Sequence, residues 1–349
     1  MTRILAIDLG KFKSVACVFD AGTNEHEFTK LPTRPQDLHD LIVARAPARV
    51  VIEAGSQAGW VKDLCEALGV DIQVANPNHE GWRWKNLTRK TDRDDALKLA
   101  KLSAAGQLPL VKLPSARVRQ WRALIEYRAK LVGRRTAVKN SIRALLDRQG
   151  LSHTAGRAGW SQAAVEELQR QARPLEDVAP EELWRGQLAM ELVALEQAEA
   201  LIRKVEMKLN ALALADERVQ RLQTIDGVGP RLAETVVAVL DDPKRFKNCK
   251  QVGAYVGLVP RQYESGQMHR SGGITGAGHR LLRTLLVEVG WMALRFNSHL
   301  RAVFDRVCRQ HAARRKIAVV AVARRLLIIC WAMLRDGTAW RPPRAVPTP

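Results

Sequence analysis

Apolar and polar positions alternate along the first hundred residues in a way that predicts a sheet. Residues 3–9 form an apolar run interrupted at Asp8, residues 14–19 a second and residues 27–31 a third, with turn chemistry at 10–13 and 21–24 between them. Residues 36–46 change to a helical period, with Leu38, Leu41, Ile42 and Ala46 on one face. A short buried-type strand (49–53), a helix (60–68), a strand (71–75) and a helix (92–104) follow. Three strands and then alternating helices and strands predict a mixed sheet with helices on its faces.

Beyond this the pattern is helical. Across 112–148, Val118, Trp121, Leu124, Ile125, Leu131, Val132, Val138, Ile142, Leu145 and Leu146 keep a helical period. Residues 150–182, punctuated by glycine and proline, read as a linker. From 181 to 213 a long helix carries two interlocking heptad series: Leu188, Leu195, Ile202 and Leu209, and Ala198, Val205 and Leu212. That seam fits one arm of a hairpin within the chain or a homodimeric coiled coil over 185–213, and the heptad spacing favours the dimer. Gly227-Val-Gly229-Pro opens a helix at 232–240, and a helix over 279–294 turns Leu282, Leu285, Leu286 and Val289 inward with Arg280 and Arg283 outward. Residues 317–334 are long and apolar enough to span a membrane, but Arg324 and Arg325 at their centre cost roughly 5 kcal/mol on insertion, so a core helix is expected. The segment 337–349 reads as a disordered tail.

Charge narrows the partners. Fifty-six Lys and Arg against 36 Asp and Glu give +20, the balance of a chain that meets a polyanion. The surplus concentrates: 112–148 holds 11 basic residues against Glu126 and Asp147, which predicts a surface that tracks RNA or DNA. The five cysteines (Cys17, Cys65, Cys249, Cys308, Cys330) have no zinc spacing. Asp8 and Lys11 interrupt the apolar start, so no secretory leader is expected and a cytoplasmic location is.

Three constellations carry chemistry. Asp8 and Glu53 each end a strand, where open α/β sheets place their reactive groups, and Asp92 and Asp95 lie three apart on one helical face. Four converging acids require cations, and hard Mg²⁺ takes oxygen ligands. Between strand and helix, Trp82 and Trp84 are interleaved with Arg83, Lys85, Arg89 and Lys90; the indoles either stack on unpaired bases or simply hold a loop. Finally, residues 261–283 combine glycines with Arg261, Arg270, Arg280 and Arg283 and two eligible serines, Ser265 and Ser271. Such a stretch is either a basic loop that contacts nucleic acid or a seat for a nucleophile attacking phosphorus. The Gly227 and Gly229 turn adds backbone amides that suit a DNA phosphate, as in helix-hairpin-helix elements.

Ala6-Ile-Asp8-Leu-Gly10, Val51-Ile-Glu53-Ala-Gly55 and Lys90-Thr-Asp92-Arg-Asp94-Asp95-Ala96 together resemble the Asp-Glu-Asp-Asp set of RuvC-like nuclease domains, in the form found in insertion-sequence 110 transposases. Gly227-Val-Gly229-Pro, Gly257-Leu-Val-Pro260, Ser265-Gly266, Gly272-Gly273-Ile274 and Leu282-Arg283 are similar to the second domain of the same family, its 1111 subgroup above all. Asp94 stands where the family usually has an apolar residue, and the family's spacing favours Asp95 as the inner ligand. The resemblance implies an α/β RuvC-like (RNase H-like) N-terminal domain (1–110), a basic helical extension (111–150), a long helical coiled-coil linker (151–222) and a mostly α C-terminal transposase domain (223–336). It implies Mg²⁺ held by Asp8, Glu53, Asp92 and Asp95, and Ser265 as a nucleophile forming a phosphoserine link. The implied partners are donor and target DNA, a structured non-coding bridge RNA, and further copies of the chain up to a tetramer. A RuvC-type nuclease that hydrolyses DNA without a covalent step would use the same carboxylates and is separated from this reading by the serine alone.

Overall fold

The computed structural model describes residues 3–77, 91–265 and 268–341, with the backbone alone at 264, 265, 268, 269 and 271. The chain divides into two compact units, Met1–Arg119 and Gln120–Pro349.

In the first unit, β1 (Arg3–Asp8), β2 (Lys13–Asp20) and β3 (His26–Pro32) form an antiparallel meander, and β4 (Arg49–Glu53) and β5 (Asp71–Ala75) extend it in parallel. The order is β3-β2-β1-β4-β5. The parallel connections run through α1 (Pro35–Arg45) and α2 (Ala58–Ala67), and α3 (Asp92–Ala104) follows β5. Side chains alternate across a strand, and here the alternation separates two cores. Leu5, Ile7, Val50 and Ile52 pack with Leu38 and Ile42 of α1 and Val61 and Cys65 of α2. Ile4, Ala6, Val15, Cys17 and Val51 pack on the other face with Ala96, Leu99 and Ala100 of α3. The mixed sheet predicted from the apolar pattern is present, with helices on both faces.

The second unit is helical apart from one hairpin. It comprises most of α4 (Ala116–Arg148), then α5 (Gln162–Gln171), α6 (Leu183–Leu214), α7 (Glu217–Gln223), α8 (Pro230–Leu240), α9 (Cys249–Val256), β6 (Pro260–Ser265), β7 (Met268–Ile274), α10 (Arg280–Ala293), α11 (Ser298–Cys308) and α12 (Arg315–Asp336). Every residue of α8 from Leu232 to Leu240 is buried, so α8 is the axis around which the other C-terminal helices pack. Ala318, Val322, Ala323, Leu326, Leu327 and Cys330 place α12 in the same core. Ala312–Asp336 is long and apolar enough to cross a membrane, yet 56% of its apolar 18-residue stretch is buried inside the protein.

One series of the α6 seam finds its partner helix within the chain. Leu188, Leu192 and Leu195 pack on Ile142, Leu145 and Leu146 of α4, and Leu209 joins Trp121 and Ile125. Polar links fix the direction: Arg128 to Glu206 (2.6 Å), Lys139 to Glu199 (3.3 Å) and Ser141 to Glu191 (2.7 Å) descend α6 as they ascend α4. The series Leu188, Leu195, Ile202 and Leu209 therefore faces α4 of its own chain in an antiparallel hairpin and is not open to a second copy. A heptad stripe specifies a partner helix and its spacing, and it is blind to which chain supplies the partner.

The same links reduce the cationic exterior expected of 112–148. Arg119 pairs with Asp63, Arg128 with Glu206 and Lys139 with Glu199, while Arg122 donates to the carbonyls of Ala238 and Val239 at the end of α8. Arg117, Lys130, Arg134 and Arg148 remain exposed.

Candidate functional site

In the first unit the carboxylates are placed by strand periodicity. Asp8 follows Ala6 by two and Glu53 follows Val51 by two, and both Ala6 and Val51 face α3. Asp8 and Glu53 therefore lie on the α3 side of the sheet. The parallel register pairs Ile7 with Ile52, so the next positions bring Asp8 and Glu53 side by side on strands about 4.8 Å apart. Both are half-buried at the strand ends. The loops that follow them are tied together, because Gln57 Nε2 donates to the carbonyl of Gly10 at 3.1 Å and Thr33 Oγ1 donates to the same oxygen at 2.9 Å.

The helical pair starts α3. Thr91 is the N-cap, its Oγ1 accepting from the Asp94 amide (3.2 Å) and donating to Asp94 Oδ2 (2.6 Å). Thr91 thus satisfies one orphan amide of the first turn, and its hydroxyl engages the Asp94 carboxylate, which gives Asp94 a structural task. Asp92 and Asp95 each precede a sheet-facing residue, Ala96 and Leu99, by one helical turn, and thus share its stripe. Among the described residues no three His, Cys, Asp or Glu side chains already close on a common point. Trp82, Arg83, Trp84, Lys85, Arg89 and Lys90 lie outside the described residues.

In the second unit the glycine-rich stretch is a two-stranded ribbon. Pro260 pairs with Ile274, Gln262 with Ser271, Glu264 with His269 and Ser265 with Met268. Ser265 is thus the last residue of β6, about 17 Å along the ribbon from Pro260, whereas Ser271 sits mid-strand in β7. Arg261, Gln262, Tyr263 and Arg270 are exposed. A hairpin with little apolar packing owes its position to its base. There Thr275 N donates to Val259 O (2.8 Å) and Gly276 N to Gly257 O (3.3 Å). Gly257 (φ +75°) and Gly278 (φ +75°) face each other's segments so closely that a Cβ at Gly257 would stand 2.1 Å from Ala277 O, and one at Gly278 2.0 Å from Tyr255 O. Only glycine serves at either position.

Arg280 is exposed at the start of α10. Arg283 differs from the expectation that it meets nucleic acid freely: its Nη1 donates to Val256 O (3.0 Å) and Ala277 O (2.6 Å), bracing the hairpin base. Gly229 caps α8 without a side-chain bond, and Gly227 (φ +89°) packs on Ala293 of α10.

Sequence reasoning gave no sign of the partner of His279, which stands where the resembled family tends to have Asn or Asp. It caps α10 by accepting the Leu282 amide at Nδ1 (3.2 Å), and its Nε2 lies 3.3 Å from Glu126 of α4. Burial pushes its pKa below the usual imidazole value, against the pull of Glu126. With Lys130, Tyr255, Arg280 and Thr284 it lines a cavity of about 840 Å³. A lone histidine before a helix gives no sign of an acid 153 positions away in sequence, so no local signal would have found the pair.

Comparison with known proteins adds an independent line. A family model described as Transposase IS116/IS110/IS902 family matches residues 219–305, and a DEDD transposase model of IS110 elements, described as Transposase, matches residues 5–150. The chain is 31% identical to a probable family 20 transposase of Pseudomonas aeruginosa, over 96% of this chain and 98% of that protein. It is 29% identical to the transposase for insertion sequence element IS1111A of Coxiella burnetii, over 97% of this chain and 91% of that one. Among solved structures, T. thermophilus RuvC in complex with a Holliday junction substrate aligns with 32% of this chain and 100% of its own at 13% identity and a TM-score of 0.23.

Proposed function

Because the chain belongs to the IS116/IS110/IS902 transposase family, we propose that it exchanges DNA strands under the direction of a structured RNA, through a phosphoserine link at Ser265 and a Mg²⁺ site at Asp8, Glu53, Asp92 and Asp95. Its enzyme class, a DNA transposase of an insertion sequence, follows from the family. The reading of its chemistry is carried by one observation: Asp8 and Glu53 adjoin at strand ends on the sheet face covered by α3, whose first turn holds Asp92 and Asp95.

The donor set fits a hard divalent cation, since all four groups are carboxylates on one side of the sheet. Asp8 and Glu53 would hold it from the strands and Asp92 and Asp95 from the helix, the four drawing together as their repulsion is neutralised. When bound, Mg²⁺ supplies charge stabilisation to the phosphate and to the departing oxygen. Ser265 contributes its hydroxyl: Oγ forms a bond to phosphorus as the bond to a sugar oxygen breaks, and the proton lost by serine balances the one gained by that oxygen. A sugar hydroxyl of the exchanged strand then attacks the phosphoserine, and Oγ takes back a proton. Exposed Arg261 and Arg270 lie on the same ribbon, between its base and the serine, and neutralise phosphate charge. The RNA enters through the +20 balance and the family resemblance, and it specifies donor and target DNA by base pairing.

The test uses supercoiled DNA carrying the element's ends, with RNA from the native locus. Wild-type protein should give a covalent protein–DNA adduct on denaturing gels. Ser265→Ala should give none while still binding RNA, and Asp8→Asn should lose cleavage with its Mg²⁺ dependence. Cleavage without an adduct in wild type would mark a RuvC-type hydrolase. Adducts that survive Ser265→Ala and vanish in Ser271→Ala would move the nucleophile. Absence of a discrete co-purifying RNA would sink the guided reading.

A further inference from the structure

The two arginines that argue against a membrane span, Arg324 and Arg325, have no part in the chemistry above. They lie on the one stripe of α12 turned away from the core, with Ala321 and Ile328 at helical spacing. Opposite them α11 presents His299, Ala302, Val303, Arg306 and Val307, again at helical spacing. The two stripes enclose a groove of about 670 Å³.

Its electrostatics are one-sided. Among the described residues no carboxylate lines it, and neither Arg306, Arg324 nor Arg325 makes an ion pair. Asp305, the neighbouring acid on α11, falls outside the groove-facing set. Arg325 has an uncharged polar partner: its Nε donates to His299 Nε2 at 3.3 Å, which requires that nitrogen to be deprotonated. Burial and the nearby Arg325 and Arg306 push the His299 pKa down, consistent with a neutral ring. Three guanidiniums line the one groove, so it gains most from an anion.

Its walls select the kind of anion. Ala302, Val303, Val307, Ala321 and Ile328 are apolar, and duplex phosphates would leave them unused. An unpaired nucleotide uses both features, laying its base on the apolar wall while its phosphate meets the guanidiniums. At one end the ring of Trp340 tilts against His299 with centroids 6.2 Å apart, and its buried indole N–H has no partner among the described residues. At the other end Arg324 passes over Gly253 beside Val259, the residue before β6.

We propose that the α11–α12 groove binds single-stranded nucleic acid, with Arg306, Arg324 and Arg325 on the phosphates and the apolar wall under a base. This deepens the reading of the chain as a nucleic-acid recombinase but depends neither on Ser265 nor on the carboxylates. A strand leaving the groove past Arg324 runs toward the base of the β6–β7 ribbon.

Fluorescence anisotropy of full-length Asp8→Asn protein with labelled oligo-dT, oligo-U and a duplex tests it, since no cleavage intervenes. Replacing Arg324 and Arg325 together by Gln should weaken single-strand binding about tenfold or more and reduce the salt slope by about 1.4, the value for two phosphate contacts. The tighter of oligo-dT and oligo-U identifies DNA or RNA as the natural occupant. Unchanged affinity and slope in a variant with the wild-type unfolding curve would overturn the proposal, as would equal weakening of duplex and single strand. If the double variant does not fold, thiouridine and thiothymidine crosslinks in the parent protein decide: peptides from α11 and α12 support the site, and crosslinks confined elsewhere remove it. An acidic peptide bound more tightly than either oligonucleotide, and lost in the variant, would reassign the groove to a protein partner. Loss of adducts in the catalytic tests leaves this binding untouched, so the two readings fail separately.

Discussion

Glu234 offers a prediction whose size follows from its surroundings. It lies on α8, is 1% exposed, and has one oxygen 3.0 Å from Arg231 Nη1 while Oε2 has no hydrogen-bond partner among the described residues. Burial raises its pKa from 4.5 to about 7, against the pull of Arg231 and Arg128. Burial likewise lowers the pKa of Arg231, so both partners indicate that desolvation outweighs their attraction. Between the two pKa values the native state keeps a proton that the unfolded chain has released. Rising pH in that window therefore favours unfolding: the stability is fully present below pH 4.5 and lost through about pH 7. At about 1.36 kcal/mol per pH step, the loss is roughly 3 kcal/mol. Glu234→Gln mimics the protonated acid and cannot ionise. Near pH 4 it should unfold with the wild type, and near pH 8.5 it should be more stable by roughly 3 kcal/mol, or about 6–12 °C in Tm. Urea and thermal unfolding across that range provide the measurement, and other titrating groups cancel in the difference. If the variant is no more stable than wild type at pH 8.5, the ionised pair repays its burial and the reasoning fails.

Leu209→Ala empties a fully buried position of the α6 seam and should cost about 2–5 kcal/mol, independent of protein concentration in urea titrations. A concentration-dependent loss would show the seam to be shared between chains. Thr91→Ala removes the N-cap of α3, costs about 1 kcal/mol and should raise the Mg²⁺ needed for cleavage, because Asp92 and Asp95 ride on the first turn; an unchanged Mg²⁺ titration would detach those residues from the metal. Native protein at pH 8 should react rapidly with a thiol reagent at Cys249 alone, since the other four are buried and burial pushes Cys17 up to about 11 and Cys65 and Cys330 to about 12. Fast labelling of more than one thiol per chain would contradict the packing.

The strand ends were legible because they follow from period two. Once residues 3–8 and 49–53 are strands, Ala6 and Val51 decide the face on which Asp8 and Glu53 stand, and no distant information is needed. The capping role of Asp94 was less accessible, since Asp92, Asp94 and Asp95 are chemically alike and only the Thr91 geometry sorts them. The ribbon escaped notice because β6 and β7 have no apolar alternation; backbone pairing and the close approach at Gly257 and Gly278 form it.

What the sequence determined by itself is local or additive: the periods that make strands and helices, the carboxylates carried by them, and a charge that demands a polyanion. What only the tertiary structure decided is pairing at long range. An apolar stripe states that a helix will be covered, and the fold alone chose α4 of the same chain to cover α6. A count of cations states a surplus, and the fold alone committed Arg128 and Lys139 to acids, and Arg283 to carbonyls, while among the described residues it gave Arg306, Arg324 and Arg325 no acid partner along one groove. The physical reason is that packing and ion pairing depend on distances between residues far apart in sequence, which periodicity does not encode.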